Sequence, residues 1–236
     1  MSGHSKWAQI KRQKGAADAK RGTLYTKLSK LISAAVRDGG KDPTMNVRLR
    51  LFLEKAKAAN MPNATIDRAI KRGAGELEGG VIEQVVYECF GPGSVACIIE
   101  AVTDNKNRTA SEIRHVVAKH GGRFGTSGSV MWMFEPKGKI EISSAVLPAD
   151  AELALIDAGM DDTAPLDNGL LLYSAPDKLE SLKTAAERLG LTVSEAEVVS
   201  TPKKQSLATV DDAALTAFLT DLEALDDVTN VTTNAA

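Results

Sequence analysis

The feature that most constrains this 236-residue chain is a change of hydrophobic period at a glycine-rich joint, residues 73–80. Upstream, apolar residues recur at spacings of three and four, which is one face of a helix. Downstream they alternate, or run in short blocks between Gly, Pro and Asn, as strands do. The first third is therefore expected to be purely helical and the remainder mixed, and the length suits two or three domains.

Three helices are expected before the joint. The first spans about 18–39, from Asp18 as N-cap to the Gly39-Gly40 stop, with Leu24, Leu28, Leu31 and Ala35 as its apolar stripe. Lys20, Lys27, Lys30 and Arg37 fall beside that stripe. The second begins after Pro43 and ends near Asn60, with Leu49, Phe52, Leu53 and Ala56 inward. Arg48 with Lys55, and Arg50 with Lys57, edge it on both sides at seven-residue spacing. The third covers about 63–72, with Ile66, Ala69 and Ile70 inside and Arg68, Lys71 and Arg72 outside.

Beyond the joint, 81–90 and 94–103 flank Gly91-Pro92-Gly93 as a hairpin. A Thr109–Glu112 capping box opens a helix that stops at Gly121-Gly122, and 129–134 is expected to be a strand. From Gly138 the order reads strand, helix (149–158), strand near Thr163, strand (170–174), helix (177–189), strand (192–199). That βαββαβ order is the ferredoxin-like arrangement. A helix over 211–225 and a strand over 228–233 close the chain. The expected fold is thus α+β and multidomain: a basic arm and three-helix bundle in 1–79, a discontinuous α+β domain in 80–136 with 206–236, and a ferredoxin-like domain in 137–205 inserted into it.

Charge follows the same division. Residues 1–75 carry 17 Lys and Arg against 5 Asp and Glu, a balance of +12, while the rest of the chain balances to −14. Such asymmetry points to a polyanionic partner for the first third. The expected nucleic-acid contacts are Lys6, Lys11, Arg12 and Lys14 of the arm, Lys20, Arg21, Lys27 and Lys30 of the first helix, Arg48, Arg50, Lys55 and Lys57 of the second, and Arg68, Lys71 and Arg72 of the third. Trp7 either stacks on a base or folds back with Ile10 as a small apolar staple. Arg108, which turn and cap chemistry do not explain, is a candidate second phosphate contact with Arg123. No Gly-containing turn of three or four residues joins the helices, so backbone and shape recognition are expected over base-edge readout, with structured RNA as open as DNA.

Catalysis finds no support. His115 and His120 lie five apart on one expected helix and make no metal-binding pair, and the glycine-rich 121–128 lacks the Gly-Lys-Ser/Thr ending of a phosphate loop. No cofactor, metal or small-molecule substrate is expected. If Phe90 stands opposite Ser94 across the turn, Cys97 faces Tyr87, and no disulfide with Cys89 is expected. No apolar signal core opens the chain and no run approaches the roughly 18 apolar residues of a membrane span, so the expected location is the cytoplasm.

Several long motifs then resemble the YebC/PmpR family: GHSKWAQIK, DAKRG, GGKDPTMNVRLR, EKAKAANMP, IDRAIKRGAGE, YECFGPGSVACIIEAVTDNKNRTASEIRHVVAKHGG, GSVMWMFEPKG and DDVTNV. The likeness runs over nearly the whole chain and is densest in 3–135. It implies three domains, one ferredoxin-like and inserted in another. It also implies a DNA-binding regulator of transcription or, as in the family's mitochondrial and ribosome-acting members, a ribosome-associated translation factor.

Overall fold

The structure is a computed structural model and describes residues 19–77, 80–166 and 168–235. The helical third is a bundle of α1 (Ala19–Gly39), α2 (Val47–Ala58) and α3 (Asn63–Gly73). Its core joins Leu28, Ile32, Ala35 and Val36 of α1 to Leu49 and Ala56 of α2 and to Ile66 and Ala69 of α3. Asn46 builds the first corner. Its Oδ1 accepts from Leu49 N as the N-cap of α2, while its Nδ2 donates to Ala35 O and Gly40 O at the end of α1. One amide thereby satisfies groups at two helix ends that would otherwise lack partners.

The stripe expected on α1 needs correction. Leu24 is 44% exposed, and Leu31 turns toward Ile82 and Val102 with Ala34. The helix packs on two sides, against its bundle and against a sheet, so Ile32 and Val36 take the bundle positions.

The first sheet contains β1 (Glu83–Phe90), β2 (Ala96–Thr103), β3 (Arg123–Phe124) and β8 (Val228–Thr233) in the order β3-β1-β2-β8, every pair antiparallel. Helices α4 (Lys106–Lys119) and α7 (Asp212–Glu223) cover one face, burying Cys89, Cys97 and Ile99 with Ile113, Val117, Leu215 and Phe218. On the other face Val102 meets α1, and Ala96 and Ile98 meet Val130 and Phe134.

Three local expectations fail here. The hairpin pairs Phe90 with Ala96, so Cys89 stands opposite Cys97; both remain free, buried thiols. The loop is longer because Pro92–Ser94 forms a 3₁₀ turn, in which Gly93 and Ser94 both take positive φ (64° and 61°). Helix α4 starts a turn early, capped by Asn105, whose side chain accepts from Arg108 N, and Thr109 lies inside it. Residues 129–133 are no strand: Met131–Met133 form a 3₁₀ turn, Phe134 opens a strand of the other sheet, and the third strand of this sheet is the two-residue β3.

The second sheet holds β4 (Phe134–Ile142), β5 (Met160–Leu166), β6 (Gly169–Ser174) and β7 (Val193–Pro202) in the order β5-β6-β4-β7, again antiparallel throughout. With α5 (Ala149–Asp157) after β4 and α6 (Leu179–Arg188) after β6, this is the ferredoxin-like unit. It lies in the chain between β3 and α7, and thus inside the first α+β unit. Its core sets Ile140, Ile142 and Leu172 against Leu155 and Leu182.

Candidate nucleic-acid interface

Lys6, Trp7, Lys11, Arg12 and Lys14 lie outside the described residues, and Lys20 and Arg21 are described only as backbone of α1. The cations that remain divide into two groups by what they face.

One group points inward, at the acidic remainder of the chain. Lys27 Nζ donates to Glu223 O at the last residue of α7, and Lys30 Nζ donates to Asp226 O and to Asp227 Oδ1 (2.5 Å). A cation at a helix C-terminus also meets the negative end of its dipole. Arg72 pairs with Asp104 at 3.2 Å. Lys55 reaches Glu195 at 2.5 Å and Glu197 at 3.6 Å on β7, where Lys139 of β4 joins the same two carboxylates. Burial would lower the Lys139 pKa, but Glu197 and Glu195 outweigh it and push it up to about 12. These contacts fix the bundle to both sheets.

The other group points outward. Arg50 and Lys57 lie two turns apart on α2, and Arg68 and Lys71 one turn apart on α3. All four are exposed and make no ion pair with a described residue; Arg50 keeps only a long hydrogen bond to Pro43 O. Arg48, half exposed, approaches Asp38 at 3.8 Å. The four-residue link between α2 and α3 contains no glycine; Asn60 supplies its left-handed position with φ 57°.

Arg108 and Arg123 are not brought together. They sit at opposite ends of α4, roughly 15–20 Å apart along its axis. Arg108 pairs with Asp104 and with the buried Asp227, both at 3.0 Å, which accounts for a cation in the first turn of a helix. Asp227 is a hub. Besides Lys30 and Arg108 it receives Thr109 (2.5 Å) and Thr103 (3.1 Å), and its own carbonyl accepts from Val102 N. Burial pushes its pKa up, but the bonds from Lys30, Thr109 and Arg108 prevail and hold it at about 2.

The glycine-rich loop after α4 presents its amides to an internal anion. Glu88, buried on β1, accepts from Gly128 N and Val130 N at 2.6 Å and from Met131 N at 2.9 Å. Its desolvation is outweighed by these bonds, which lower its pKa. Beside this clamp lies a residue that sequence reasoning missed. Trp132 is 61% exposed, with its indole N–H on Ser129 O at 3.1 Å. A tryptophan in the strand then expected would have faced a sheet; the signal was its place between a glycine-rich loop and the next strand.

His120 hydrogen-bonds Asp221 at 2.8 Å and stands edge-on to Phe218, while His115 is exposed on α4. Among the described residues no group of His, Cys, Asp or Glu is placed to hold a metal ion, and no helix is long and apolar enough to cross a membrane.

Comparison with known proteins places this architecture. A family model described as the TACO1/YebC protein N-terminal domain matches residues 5–76, and one described as the TACO1/YebC second and third domain matches residues 82–235. A protein of Thermoanaerobacter pseudethanolicus named "Probable transcriptional regulatory protein" is 47% identical over 98% of this chain and 95% of its own length. A protein of the same name from Pseudothermotoga lettingae is 46% identical over 99% and 93%. The crystal structure of a conserved hypothetical protein from Aquifex aeolicus superposes with a TM-score of 0.86 at 43% identity, covering 98% of this chain and 97% of that one. With the bundle matched by one family model and both sheets by the other, the chain belongs to the TACO1/YebC family.

Proposed function

We propose that the chain is a DNA-binding regulator of transcription that grips phosphates through the basic arm and the outer faces of α2 and α3. The observation that carries this reading is the division of the cations. Where the bundle meets the sheets, its lysines and arginines face carboxylates. On α2 and α3, Arg50, Lys57, Arg68 and Lys71 project without an ion pair among the described residues, Lys71 acting on Glu76 only from beyond pairing distance. A surface of uncompensated cations on rigid helices neutralises phosphates and releases their counterions, which gives strong binding with little sequence preference. The names of the relatives support the regulatory role, and no catalytic group enters the account.

Binding of the full chain to duplex DNA across a series of salt concentrations tests it. Each neutralised phosphate contributes about 0.9 to the log–log slope, so replacing all four residues by Ala should flatten that slope by roughly 3 to 4. An unchanged slope removes α2 and α3 from the interface. Co-sedimentation with ribosomes in place of duplex binding would assign the same cations to ribosomal RNA.

A further inference from the structure

We propose that Trp132 is a stacking platform for an unpaired nucleobase, forming a second nucleic-acid site remote in sequence from the basic bundle. The 3₁₀ turn that carries it is fixed from two sides. Val130, Met133 and Phe134 turn inward and pack against Phe90, Ala96 and Ile98, while Met131 and Trp132 turn outward and are 41% and 61% exposed. Beneath, the Glu88 carboxylate holds the amides of Gly128, Val130 and Met131. The indole is oriented as well, because its N–H is bonded to Ser129 O. That bond leaves the ring's π-face as what it offers a ligand. Met131 and Trp132 together make an outward apolar patch on a fixed turn, and the indole gives that patch its flat π-surface.

Local charge identifies the occupant. Residues 76–236 are acidic as a whole, yet 121–134 contain Arg123 and no acid, and 198–206 contain Lys203 and Lys204 and no acid. These two segments meet: Lys203 N donates to Met133 O, and Lys203 Nζ to Trp132 O at 2.8 Å. Arg123 lies over the Phe90 ring, 5.1 Å from its centroid, against the same packed cluster. Of the two carboxylates nearest in the chain and sheet, Glu88 is buried and satisfied by amides, and Glu135 is paired with Lys137 at 3.9 Å. An exposed π-face with a lysine fixed on the carbonyl of its own residue is the chemistry that single strands select, the base stacking on the ring while a phosphate meets Lys203. A duplex, whose bases are already stacked, gains nothing from it.

The test uses the full chain. The sequence has two tryptophans, so Trp7→Phe leaves Trp132 as the only indole emitter. This protein is titrated with oligo(dT) and oligo(U) of about 12 nucleotides, and with a duplex of equal length. The expected result is quenching by either single strand at concentrations that leave emission unchanged with duplex; the sugar giving the tighter curve identifies the strand preferred. In the otherwise native chain, Trp132→Ala should weaken single-strand binding about 5- to 150-fold, and Trp132→Phe, which keeps a stacking ring, should restore most of it. Absence of quenching at saturation, or equal single-strand affinity of native chain and Trp132→Phe and Trp132→Ala variants, overturns the proposal and leaves the indole to a protein partner. Should Trp132→Ala fail to fold, the quenching and the Phe variant still decide. Alanine at Arg50, Lys57, Arg68 and Lys71 alters duplex binding and not the quenching, so failure of the bundle reading and failure of this one are told apart.

Discussion

Asp227 shows how much of this structure depends on single charges. Its carboxylate is 3% exposed, yet it stays ionised because a lysine from α1, an arginine and a threonine from α4 and a threonine from β2 all point at it. Its pKa falls from the usual 3.8 to about 2. A carboxyl lowered in the folded state contributes stability that is complete above its unfolded pKa and is lost as pH falls through the folded one. The shift is worth about 2 kcal/mol, lost between roughly pH 5 and pH 2. Asp227→Asn should therefore lower stability near neutrality by about 2–4 kcal/mol, since it leaves Lys30 and Arg108 facing a neutral amide. It should also flatten the acid limb of the stability curve. Urea unfolding of both proteins from pH 7 to pH 2.5 checks both effects; parallel acid limbs would show that other carboxylates control acid unfolding.

The helices and the βαββαβ order were legible because they are local: a 3.6-residue stripe and glycine stops lie within one element, whereas of the two expected caps Thr109 falls inside α4 and Asp18 lies outside the described residues. The turn at residues 91–95 was not, and its reason lies 127 positions away. Gly91 sits where a Cβ would fall 2.6 Å from the Phe218 ring of α7, and the 3₁₀ turn carries the chain past that helix before β2 begins. The longer turn shifts the register by two residues, from Phe90 opposite Ser94 to Phe90 opposite Ala96, so the cysteine placement expected from a three-residue turn failed with it. The same limit hid β3, whose two residues pair only with Cys89 and Phe90. Gly91→Ala should accordingly cost about 1–3 kcal/mol through overpacking in the first sheet's core, although alanine suits the backbone there. A lower melting temperature with unchanged duplex affinity is the expected result. Unchanged melting would mean that the Phe218 ring has room to shift. For the candidate interface, the cations were legible and their sorting was not, because Lys30 meets Asp227 and Lys55 meets Glu195 across 197 and 140 positions.

At the scale of the molecule, a basic third and an acidic remainder nearly cancel to a net −2, and where they touch, cations meet anions. Such contacts differ in weight. Lys55 and Arg72 are 41% and 36% exposed and pair with partners of similar exposure, so each should contribute no more than about 1 kcal/mol. Lys30 faces an almost fully buried carboxylate, and removing it leaves that charge with Arg108 as its one cationic partner among the described residues. The joint therefore has one deep pin and several shallow ones. Lys30→Ala should lower global stability by about 2 kcal/mol or more, whereas Lys55→Ala with Arg72→Ala should barely move the melting temperature. Instead that double variant should let the bundle swing away from the inserted sheet, seen as faster proteolysis at residues 59–62 and 73–80. None of the three substitutions should flatten the salt dependence of duplex binding by more than a fraction of the change expected for Arg50, Lys57, Arg68 and Lys71, because their charge is already neutralised within the protein. If Lys55→Ala and Arg72→Ala reduced the slope by a full phosphate each, the inward pairs would open on binding. The bundle would then meet DNA with its whole basic surface rather than with its outer faces alone.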